Sequence, residues 1–345
     1  MMNLALAYST YLPWIEAEMR AVVFSNDVHV SGHFGMMQYH MGWVDASFDP
    51  ISAPSGKRIR PMLCLLACAA AGGDPRMALP AAAGLELLHN FSLIHDDIED
   101  FSPNRRHRPT LWRLFGMPQA CNAGDGMFSL AHLALHRLVD LGAETRIVLE
   151  ALRLFDETCL SLTEGQYLDM AFESRTDVTE AEYFRMIAGK TGALLAASPQ
   201  IGAVAAGAPA EQVGLYHAFG AAMGRAFQLR DDILGIWGDE AITGKSVAGD
   251  ILSKKKSLPI ILALEHPSTG LQMSHLYAGP PFVEADVPAI LALLDASGAR
   301  SHVEEQIRVS VVEAQSALKS LQPDGQRVFL AILTELLQSL TGRVY

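Results

Sequence analysis

Two clusters of aspartates in apolar helical sequence contain the residues whose types and spacing best suit chemistry. The first cluster contains Asp96, Asp97 and Asp100, and the second contains Asp231 and Asp232. Carboxylates in such sequence are costly to desolvate unless a cation or a polar partner compensates them. All-oxygen ligands suit hard divalent ions, and Mg2+ is usually held by one or two carboxylates together with substrate phosphates. The clusters therefore predict bound Mg2+ and a phosphorylated substrate.

Helical spacing gives the two clusters different numbers of carboxylates on one helix face. Residues four apart share a face of an α-helix, so Asp96 and Asp100 can chelate an ion together. The position four after Asp231 is Gly235, so the second helix offers one inward carboxylate, with Asp232 turned aside. We expect both clusters to meet in the core of a helical bundle, where such folds place their ligand sites.

Three basic segments outside the aspartate helices complement the carboxylates. They are residues 56–61, 105–110 and 254–259. Arginine forks and lysine point charges recognise phosphate oxygens. Each segment alone is more often a solvated surface patch. Together with metal they predict a diphosphate pocket.

The elements that must position these groups are helices, because helical periodicity is widespread and strand signals are nearly absent. The first cluster ends a helix predicted over 81–100, and the second lies in a helix predicted over 211–237. Glycine and proline mark the turns, including Ser198-Pro199. The sequence predicts an all-α fold. Further helices are predicted over 121–140, 144–172, 179–197, 258–266, 287–296, 301–321 and 325–341.

Composition bounds the class of protein. The 345 residues show no linker, repeat or composition shift, which predicts a single domain over 1–345. Half of the residues are hydrophobic (50%) and 19% are charged, enough to bury a large core. The formal net charge of −12 argues against a protein whose main task is to hold nucleic acid or an anionic membrane surface.

The cysteines and apolar stretches predict the compartment. The four cysteines complete no zinc pattern and are expected to be buried free thiols, which suits a reducing cytoplasm. The N-terminal segment lacks a basic region followed by a long apolar one, so no signal peptide is expected. The apolar stretches 61–73 and 192–210 are too short or too interrupted to span a bilayer. No membrane span is expected.

Taken in order, these motifs closely resemble the trans-polyprenyl diphosphate synthase family. Asp96 to Asp100 matches its first motif, D-D-x-x-D, and residues 56–61 match G-K-R-x-R-P. Ordered motifs are far more specific than isolated ones, and this resemblance covers residues 54–259. Further matches are Arg105, Arg106, Pro109 and Thr110, then Gly165-Gln166, Asp169, Lys190-Thr191, Gln228 ahead of Asp231-Asp232, Gly244-Lys245, and the lysines before Leu258-Pro259.

The resemblance implies a fold and a reaction. The fold is an isoprenoid synthase-type helical bundle with a deep central cavity, and the protein is expected to be a homodimer. The reaction condenses isopentenyl diphosphate head-to-tail with an allylic diphosphate (dimethylallyl, geranyl or farnesyl) to give an all-trans polyprenyl diphosphate. Three Mg2+ ions per active site are expected with substrate bound. They would be held by Asp96, Asp97, Asp100, Asp231 and Asp232, of which Asp97 and Asp232 could act indirectly.

The resemblance also implies the substrate contacts. The catalytic residues would be Lys190, Thr191 and Gln228, of which Thr191 and Gln228 would stabilise the allylic cation, and the released diphosphate would take the final proton. The allylic diphosphate would meet Arg105, Lys190, Lys245 and Lys255. Isopentenyl diphosphate would be held by Lys57, Arg60, His89 and Arg106.

Product length is expected to depend on Phe91, five residues before Asp96. At ~1.5 Å rise per residue, Phe91 lies about 7.5 Å back along the helix, where its ring could block a growing chain. An aromatic here with the small Ser92 beside it resembles enzymes that make the C20 product, geranylgeranyl diphosphate. Phe91 could equally be an ordinary core residue, and C15 and C25 products stay open.

The chain departs from the family pattern at three positions. Gly235 stands where the second motif usually ends in aspartate, Ser55 replaces a glycine, and His107 replaces the glycine after the arginine pair. Two other functions are open. A class I terpene cyclase shares the fold but needs no second diphosphate site, and a non-catalytic partner subunit would not need its aspartates.

Overall fold

The computed structural model describes residues 2–54, 56–238, 248–321 and 327–342. Within these ranges the β-structure consists of one isolated bridge and one antiparallel hairpin, β1 (Asn104–Arg105) and β2 (Arg108–Pro109). Everything else that is regular is helical, so the all-α prediction is confirmed.

The first ten helices include most of those that carry the predicted site residues. Ala188–Gly192, between α8 and α9, is a π-helical turn. The ten are α1 (Leu4–Val22), α2 (Ser31–His40), α3 (Ile59–Ala70), α4 (Leu79–Glu99), α5 (Leu111–Phe115), α6 (Met117–His136), α7 (Thr145–Glu173), α8 (Glu180–Ile187), α9 (Ala193–Ala205) and α10 (Ala210–Trp237).

The remaining helices are shorter on average. Single 3-10 turns precede α2, α4 and the helix that begins at Val287. The helices are α11 (Gly249–Leu252), α12 (Leu258–Glu265), α13 (Gly270–Ala278), α14 (Val287–Ala296), α15 (Ala299–Ser320) and α16 (Arg327–Thr341).

The chain forms two compact units. Unit 1 comprises Met1–Asp156, Ser198–Gly214 and Pro323–Leu333, and unit 2 comprises Glu157–Ala197, Leu215–Gln322 and Thr334–Tyr345. The first aspartate cluster belongs to unit 1 and the second to unit 2. The single domain expected from the sequence stays a prediction.

Helices α3 and α4 form the core of unit 1. Helix α3 is buried from Pro61 through Ala70, and α4 is buried from Pro80 through Leu88. Each large aliphatic side chain removed from water in this way contributes about 1.5–3 kcal/mol. Pro75–Glu99 is long and apolar enough by composition to cross a membrane, but 67% of its apolar window is buried in the structure. Burial of this kind is typical of a core helix, so the stretch is weak evidence for a span.

Helix α10 forms the core of unit 2. Leu229, Ile233 and Ile236 recur at helical spacing and are 0%, 0% and 1% exposed. Leu229 and Ile233 pack with residues of α7, α8, α12 and α15. Burying this face turns Asp231, two positions after Leu229, away from the core.

Pro199 does not end a helix, so the turn predicted at Ser198-Pro199 is wrong. Helix α9 continues through Pro199 to Ala205. A proline inside a helix costs about 3 kcal/mol because it removes one hydrogen bond and crowds the preceding turn. Here Leu195 and Ile201, on either side, are 3% and 0% exposed. Burial of these side chains offsets the cost of the proline.

The prediction of buried free thiols is right for three of the four cysteines. All four cysteines are free, and Cys64, Cys68 and Cys159 are buried as expected. Cys121 is exposed, so the prediction of a buried thiol is wrong there. It lies in the first turns of α6, whose inward face carries the small buried residues Ala120, Ala123 and Gly124.

Candidate functional site

The first aspartate cluster lies where α4 ends. Asp96 is inside the helix, and Asp100 caps it, with the backbone N–H of Asp100 donating to the carbonyl of Asp96 at 2.9 Å. The helical hydrogen bond therefore continues to Asp100. Both carboxylates leave the same face of the helix, as the spacing predicts.

Asp97 is in a different environment from its neighbours. It is 2% exposed, and the Nε of Arg105 donates to both of its carboxylate oxygens, at 2.8 and 2.9 Å. Burial raises the pKa of Asp97 to about 6, against the opposing effect of Arg105. Asp97 thus holds the guanidinium of Arg105 beside the cluster. A metal-binding role for Asp97 stays a prediction.

A tight hairpin turn places Arg106. Arg106 and His107, between β1 and β2, have φ values of 51° and 63°, in the left-handed region. This conformation costs an L-residue roughly 1–2 kcal/mol, which explains why a glycine suits the position of His107. The guanidinium then lies against Gly56, where a Cβ would be 3.2 Å from the Nη2 of Arg106. The first two basic segments therefore meet in unit 1.

Three of the groups predicted to bind isopentenyl diphosphate lie close together. Burial lowers the pKa of His89, and the charges of Arg60 and Arg106 lower it further. The Nε of Arg60 and the Nη1 of Arg106 are buried and have no hydrogen-bond partner among the described residues. Buried donors of this kind are costly unless an acceptor satisfies them. An anion with several oxygens fits the chemistry of these donors. Lys57, the fourth group, is exposed in the preceding loop.

His40 belongs to the same cationic group, and the sequence reasoning missed it. Its Nε2 is buried without a hydrogen-bond partner among the described residues. Burial is the largest cause that lowers the pKa of His40, and the charges of Arg106, Arg105 and Arg58 lower it further. His40 ends α2, whose packing could not be read from the spacing of any motif. A small pocket adjoins this group and is lined by Tyr39, His40, Pro54, Asp97, Arg105, Arg106, Arg108, Pro109, Thr110 and Leu111.

In unit 2, the adjacent aspartates of the second cluster have separate environments. Asp231 is partly exposed, whereas Asp232 is fully buried and turned aside as expected. Asp232 accepts hydrogen bonds from the hydroxyl of Tyr183, from the Nε2 of Gln228 at 3.0 Å and from the backbone N–H of Leu258 at 2.9 Å. These donors occupy its oxygens. Asp232 therefore holds α8, α10 and α12 together.

We expect Asp232→Ala to lower the free energy of unfolding by about 3 kcal/mol, because Tyr183, Gln228 and the N–H of Leu258 would lose their buried acceptor. Asp231→Ala should lower it by less than about 1 kcal/mol, since that side chain is partly exposed. Urea denaturation without added metal measures both values. Equal losses from the two variants would contradict this division.

Thr191 and Gln228, predicted to stabilise the cation, are in contact. The Oγ1 of Thr191 donates to the Oε1 of Gln228 at 2.8 Å, and Gln228 donates in turn to Asp232. This chain of hydrogen bonds fixes the direction in which the amide of Gln228 points. The fixed dipole is what electrostatic stabilisation of a developing charge requires.

Lys190 is positioned by an unusual backbone. It lies in the π-helical turn Ala188–Gly192, a feature frequent at functional sites. A Cβ on Gly165 of α7 would be 2.1 Å from the backbone nitrogen of Lys190, so only glycine allows this approach. One helical turn after Gly165, Asp169 accepts a hydrogen bond from the Nζ of Lys190 at 2.5 Å. The family motif residues Gly165, Asp169 and Lys190 are therefore one local structure.

Only the middle lysine of the third basic segment faces the acidic cluster. Lys254 donates to the carbonyls of Leu276, Tyr277 and Gly279, and Lys256 lies over the ring of Tyr277. Burial lowers the pKa of Lys255, but neighbouring carboxylates, Asp232 first among them, outweigh this and raise it. Lys255 is therefore held in its charged form, and its binding to a diphosphate stays a prediction. Lys245 lies outside the described residues.

Phe91 is half-buried and part of a row of rings in unit 1. Its ring centroid is 4.7 Å from that of His95 and 4.9 Å from that of Phe128. Phe128 in turn lies 4.6 Å from His132. Phe91 is thus half-buried and packed between two rings, and its role in limiting product length stays a prediction.

The carboxylates fit Mg2+ better than other ions. Asp96, Asp100 and Asp231 offer only oxygen, and all three are partly exposed or exposed. Hard oxygen ligands without thiolate or imidazole favour Mg2+ over zinc or copper. Metal binding by Asp96 and Asp100 in unit 1 and by Asp231 in unit 2 stays a prediction, as does an indirect role for Asp97 and Asp232.

Comparison with known proteins gives consistent matches. Residues 41–294 match the model of the polyprenyl synthetase family. A (2E,6E)-farnesyl diphosphate synthase of Mycobacterium tuberculosis is 48% identical over 231 residues, which are 67% of this chain and 63% of that protein. The match therefore spans less than two thirds of that relative. A geranylgeranyl diphosphate synthase of the same species is 36% identical over 291 residues, covering 83% of this chain and 82% of that protein.

The fold also has solved counterparts. A polyprenyl synthetase from Streptomyces coelicolor A3(2) has a TM-score of 0.89 and 32% sequence identity, covering 98% of this chain and 99% of that one. The predicted all-α, isoprenoid synthase-type fold is therefore confirmed.

Proposed function

Because the chain belongs to the polyprenyl synthetase family, we propose that it is a Mg2+-dependent prenyltransferase that joins isopentenyl diphosphate to an allylic diphosphate. The observation that carries this proposal is the group of buried cationic donors around His89. A prenyltransferase needs such a site for its second diphosphate. The proposed ligands for metal and the first diphosphate are the carboxylates of Asp96 and Asp100 in unit 1 and of Asp231 in unit 2.

Cationic and neutral polar side chains have different proposed roles. Breaking the C–O bond of the allylic substrate leaves a diphosphate whose charge must be neutralised, and Mg2+, when bound, supplies Lewis acidity for this. Lys190, Lys255 and Arg105 would hold the same diphosphate as preorganised cations. Thr191 and Gln228 would stabilise the allylic cation with their oriented dipoles.

The second substrate would be held in unit 1. Arg60, Arg106 and Lys57 would bind the diphosphate of isopentenyl diphosphate, and its oxygens would satisfy the buried Arg60 and Arg106 donors. His89, kept neutral by its low pKa, would donate or accept a hydrogen bond there. The double bond of this substrate attacks the allylic cation, and the released diphosphate takes the proton that leaves. No side-chain nucleophile is needed.

We propose geranylgeranyl diphosphate (C20) as the main product. The support is Phe91 with the small Ser92 beside it, the pattern that resembles C20 producers. Relatives named for C15 and for C20 products match at 48% and 36% identity. Farnesyl (C15) and geranylfarnesyl (C25) diphosphate are the alternatives.

The assay is incubation of the purified chain with Mg2+, labelled isopentenyl diphosphate and each primer in turn, followed by product chromatography. We expect an all-trans C20 diphosphate. Arg60→Ala and Arg106→Ala should raise KM for isopentenyl diphosphate roughly 10–100-fold, since each removes a charged hydrogen bond worth about 1.5–3 kcal/mol. Arg113→Ala, an exposed arginine of α5, is the control.

Two outcomes of this assay would overturn the proposal. A hydrocarbon or alcohol made from farnesyl diphosphate alone would indicate a terpene cyclase. No product from any primer would indicate a non-catalytic subunit. The cationic group around His89 argues against a cyclase, and the five intact aspartates argue against a non-catalytic subunit.

We also propose a homodimer in the cytoplasm. Helix α7 carries large apolar side chains that are exposed at helical spacing, with Leu149, Leu160 and Tyr167 at 61%, 62% and 71%. A second copy of the chain would cover this row. Free thiols suit the reducing compartment. Sedimentation of the wild type and of Leu160→Glu tests the dimer.

A further inference from the structure

A histidine, a cysteine and an aspartate come together where α4 packs against α6. The possible ligand atoms of His95, Cys121 and Asp125 all lie within 4.8 Å of one another. Cys121 and Asp125 are four residues apart on α6 and therefore share one face of that helix. His95 reaches them from α4. The three side chains form one group within unit 1, and none of them belongs to the aspartate clusters.

The separations within this group suit a single bound ion. The Nε2 of His95 is 3.4 Å from the Oδ1 of Asp125, and the Sγ of Cys121 is 3.9 Å from the Oδ2 of Asp125. In a tetrahedral zinc site with ordinary bond lengths, a nitrogen and an oxygen ligand lie roughly 3.4 Å apart, and a sulfur and an oxygen ligand roughly 3.6 Å apart. The group is therefore close to the geometry of such a site.

The imidazole of His95 has an unsatisfied nitrogen within this group. Its side chain is 25% exposed, but Nε2 is buried and has no hydrogen-bond partner among the described residues. The ring lies 4.7 Å from that of Phe91 and directly against α6, where a Cβ on Gly124 would be 2.3 Å from Nε2. A buried polar atom of this kind is costly unless a partner satisfies it. A metal ion that accepts the nitrogen lone pair would do so.

The donor set differs from that of the aspartate clusters. Carboxylates alone suit Mg2+, whereas thiolate and imidazole together select Zn2+ and other transition metals. Three protein ligands leave one position of a tetrahedron for water or another ligand, and Cys121 and Asp125 are exposed. An ion held in this way can exchange with the solution. The cysteines complete no zinc pattern in the sequence because His95 joins this group only through the packing of α4 on α6.

We propose that His95, Cys121 and Asp125 form an exchangeable Zn2+ site, separate from the aspartates expected to bind Mg2+. Binding releases the thiol proton of Cys121 to solvent, because the thiolate is the form that ligates metal. The site lies beside the first cluster, since His95 directly precedes Asp96. The inference concerns metal binding alone and does not depend on the proposed prenyltransferase activity.

The site is tested on the full chain without turnover. The protein is stripped of metal with a chelator and then kept in excess Mg2+, so that any all-oxygen site is filled. Titration with Co2+ should give a thiolate-to-cobalt charge-transfer band, which Zn2+ should remove by displacing the cobalt. Zn2+ should also protect the exposed thiol of Cys121 from iodoacetamide, as measured by peptide mass spectrometry. Wild type that shows neither effect would refute the proposal.

Variants assign the three ligands. Cys121→Ser should abolish the charge-transfer band. His95→Ala and Asp125→Ala should each weaken Co2+ binding at least about tenfold, the low end for groups that support a metal site. The matched controls remove an exposed histidine at the end of α6 and an exposed aspartate soon after it, and both His136→Ala and Asp140→Ala should bind like wild type.

Three outcomes contradict the assignment. A band that persists in Cys121→Ser would place the sulfur ligand elsewhere. Wild-type affinity in His95→Ala or Asp125→Ala would remove that residue from the site. Protection of Cys121 by Mg2+ alone that equals protection by Zn2+ would show that the site does not select for thiolate and imidazole ligation. Thermal unfolding midpoints check each variant, and His95→Gln, which keeps more of the packing, replaces His95→Ala if that variant does not fold.

Discussion

Asp231→Ala is expected to lower kcat by roughly 10²–10³-fold, the loss typical when one preorganised electrostatic group is removed from a transition state. Asp231 is the partly exposed carboxylate of the second cluster, and its neighbour Asp232 is occupied by three protein donors. No adjacent side chain of α10 can replace it, because the position one turn later is Gly235. The loss should be only partly recovered at high Mg2+ concentration.

Steady-state assays across a Mg2+ titration measure this prediction. Asp295→Ala, which removes an exposed aspartate of α14, is the control and should match wild type. The loss from Asp231→Ala should far exceed any change in turnover caused by placing aspartate at Gly235. Comparable effects from the two substitutions would refute the assignment of Asp231 as the principal ligand.

The helices that carry the aspartates could be predicted closely from the sequence. Helix α10 was expected over 211–237 and spans Ala210–Trp237. The helix of the first cluster was expected over 81–100 and spans Leu79–Glu99. Both have long apolar periodicity and clear ends, and such local signals need no knowledge of the partner helix. Within each helix, the face shared by the ligands followed from spacing alone.

The partners of these side chains could not be predicted in the same way. Arg105 holds Asp97, Tyr183 holds Asp232, and the carboxylate of Asp250 lies against Gly235. Each pair joins different elements, so its contact depends on packing and not on local period. His40 was missed for the same reason. Helices α1 and α2 were not predicted either.

The departures from the family pattern have different consequences. His107 takes a left-handed conformation that glycine adopts at less cost, so its effect is on the stability of the hairpin. Gly235 leaves the second cluster one carboxylate short of the family pattern, so its effect is on the charge of that cluster. The departure at His107 therefore affects the stability of the fold, whereas the departure at Gly235 affects the charge of the site.

Phe91→Ala is expected to lengthen the main product by at least one C5 unit. The ring lies about 7.5 Å from Asp96 along α4 at ~1.5 Å per residue, on the path proposed for the growing chain. It is supported by the ring of Phe128, 4.9 Å away. Phe128→Ala should therefore give a smaller shift in the same direction, since Phe91 could then move aside. Chromatography of products after dephosphorylation measures the chain lengths.

Two controls make the expected shift specific. Phe91→Tyr keeps the ring and should keep the wild-type product, while Phe101→Ala removes an aromatic that is 65% exposed just after the first cluster and should change nothing. Unfolding midpoints check that the truncated variants stay folded, because losing a partly buried ring costs stability. An unchanged product from both Phe91→Ala and Phe128→Ala would place the limit on chain length elsewhere. Phe91 would then be an ordinary packing residue of α4, and the C20 proposal would lose its support.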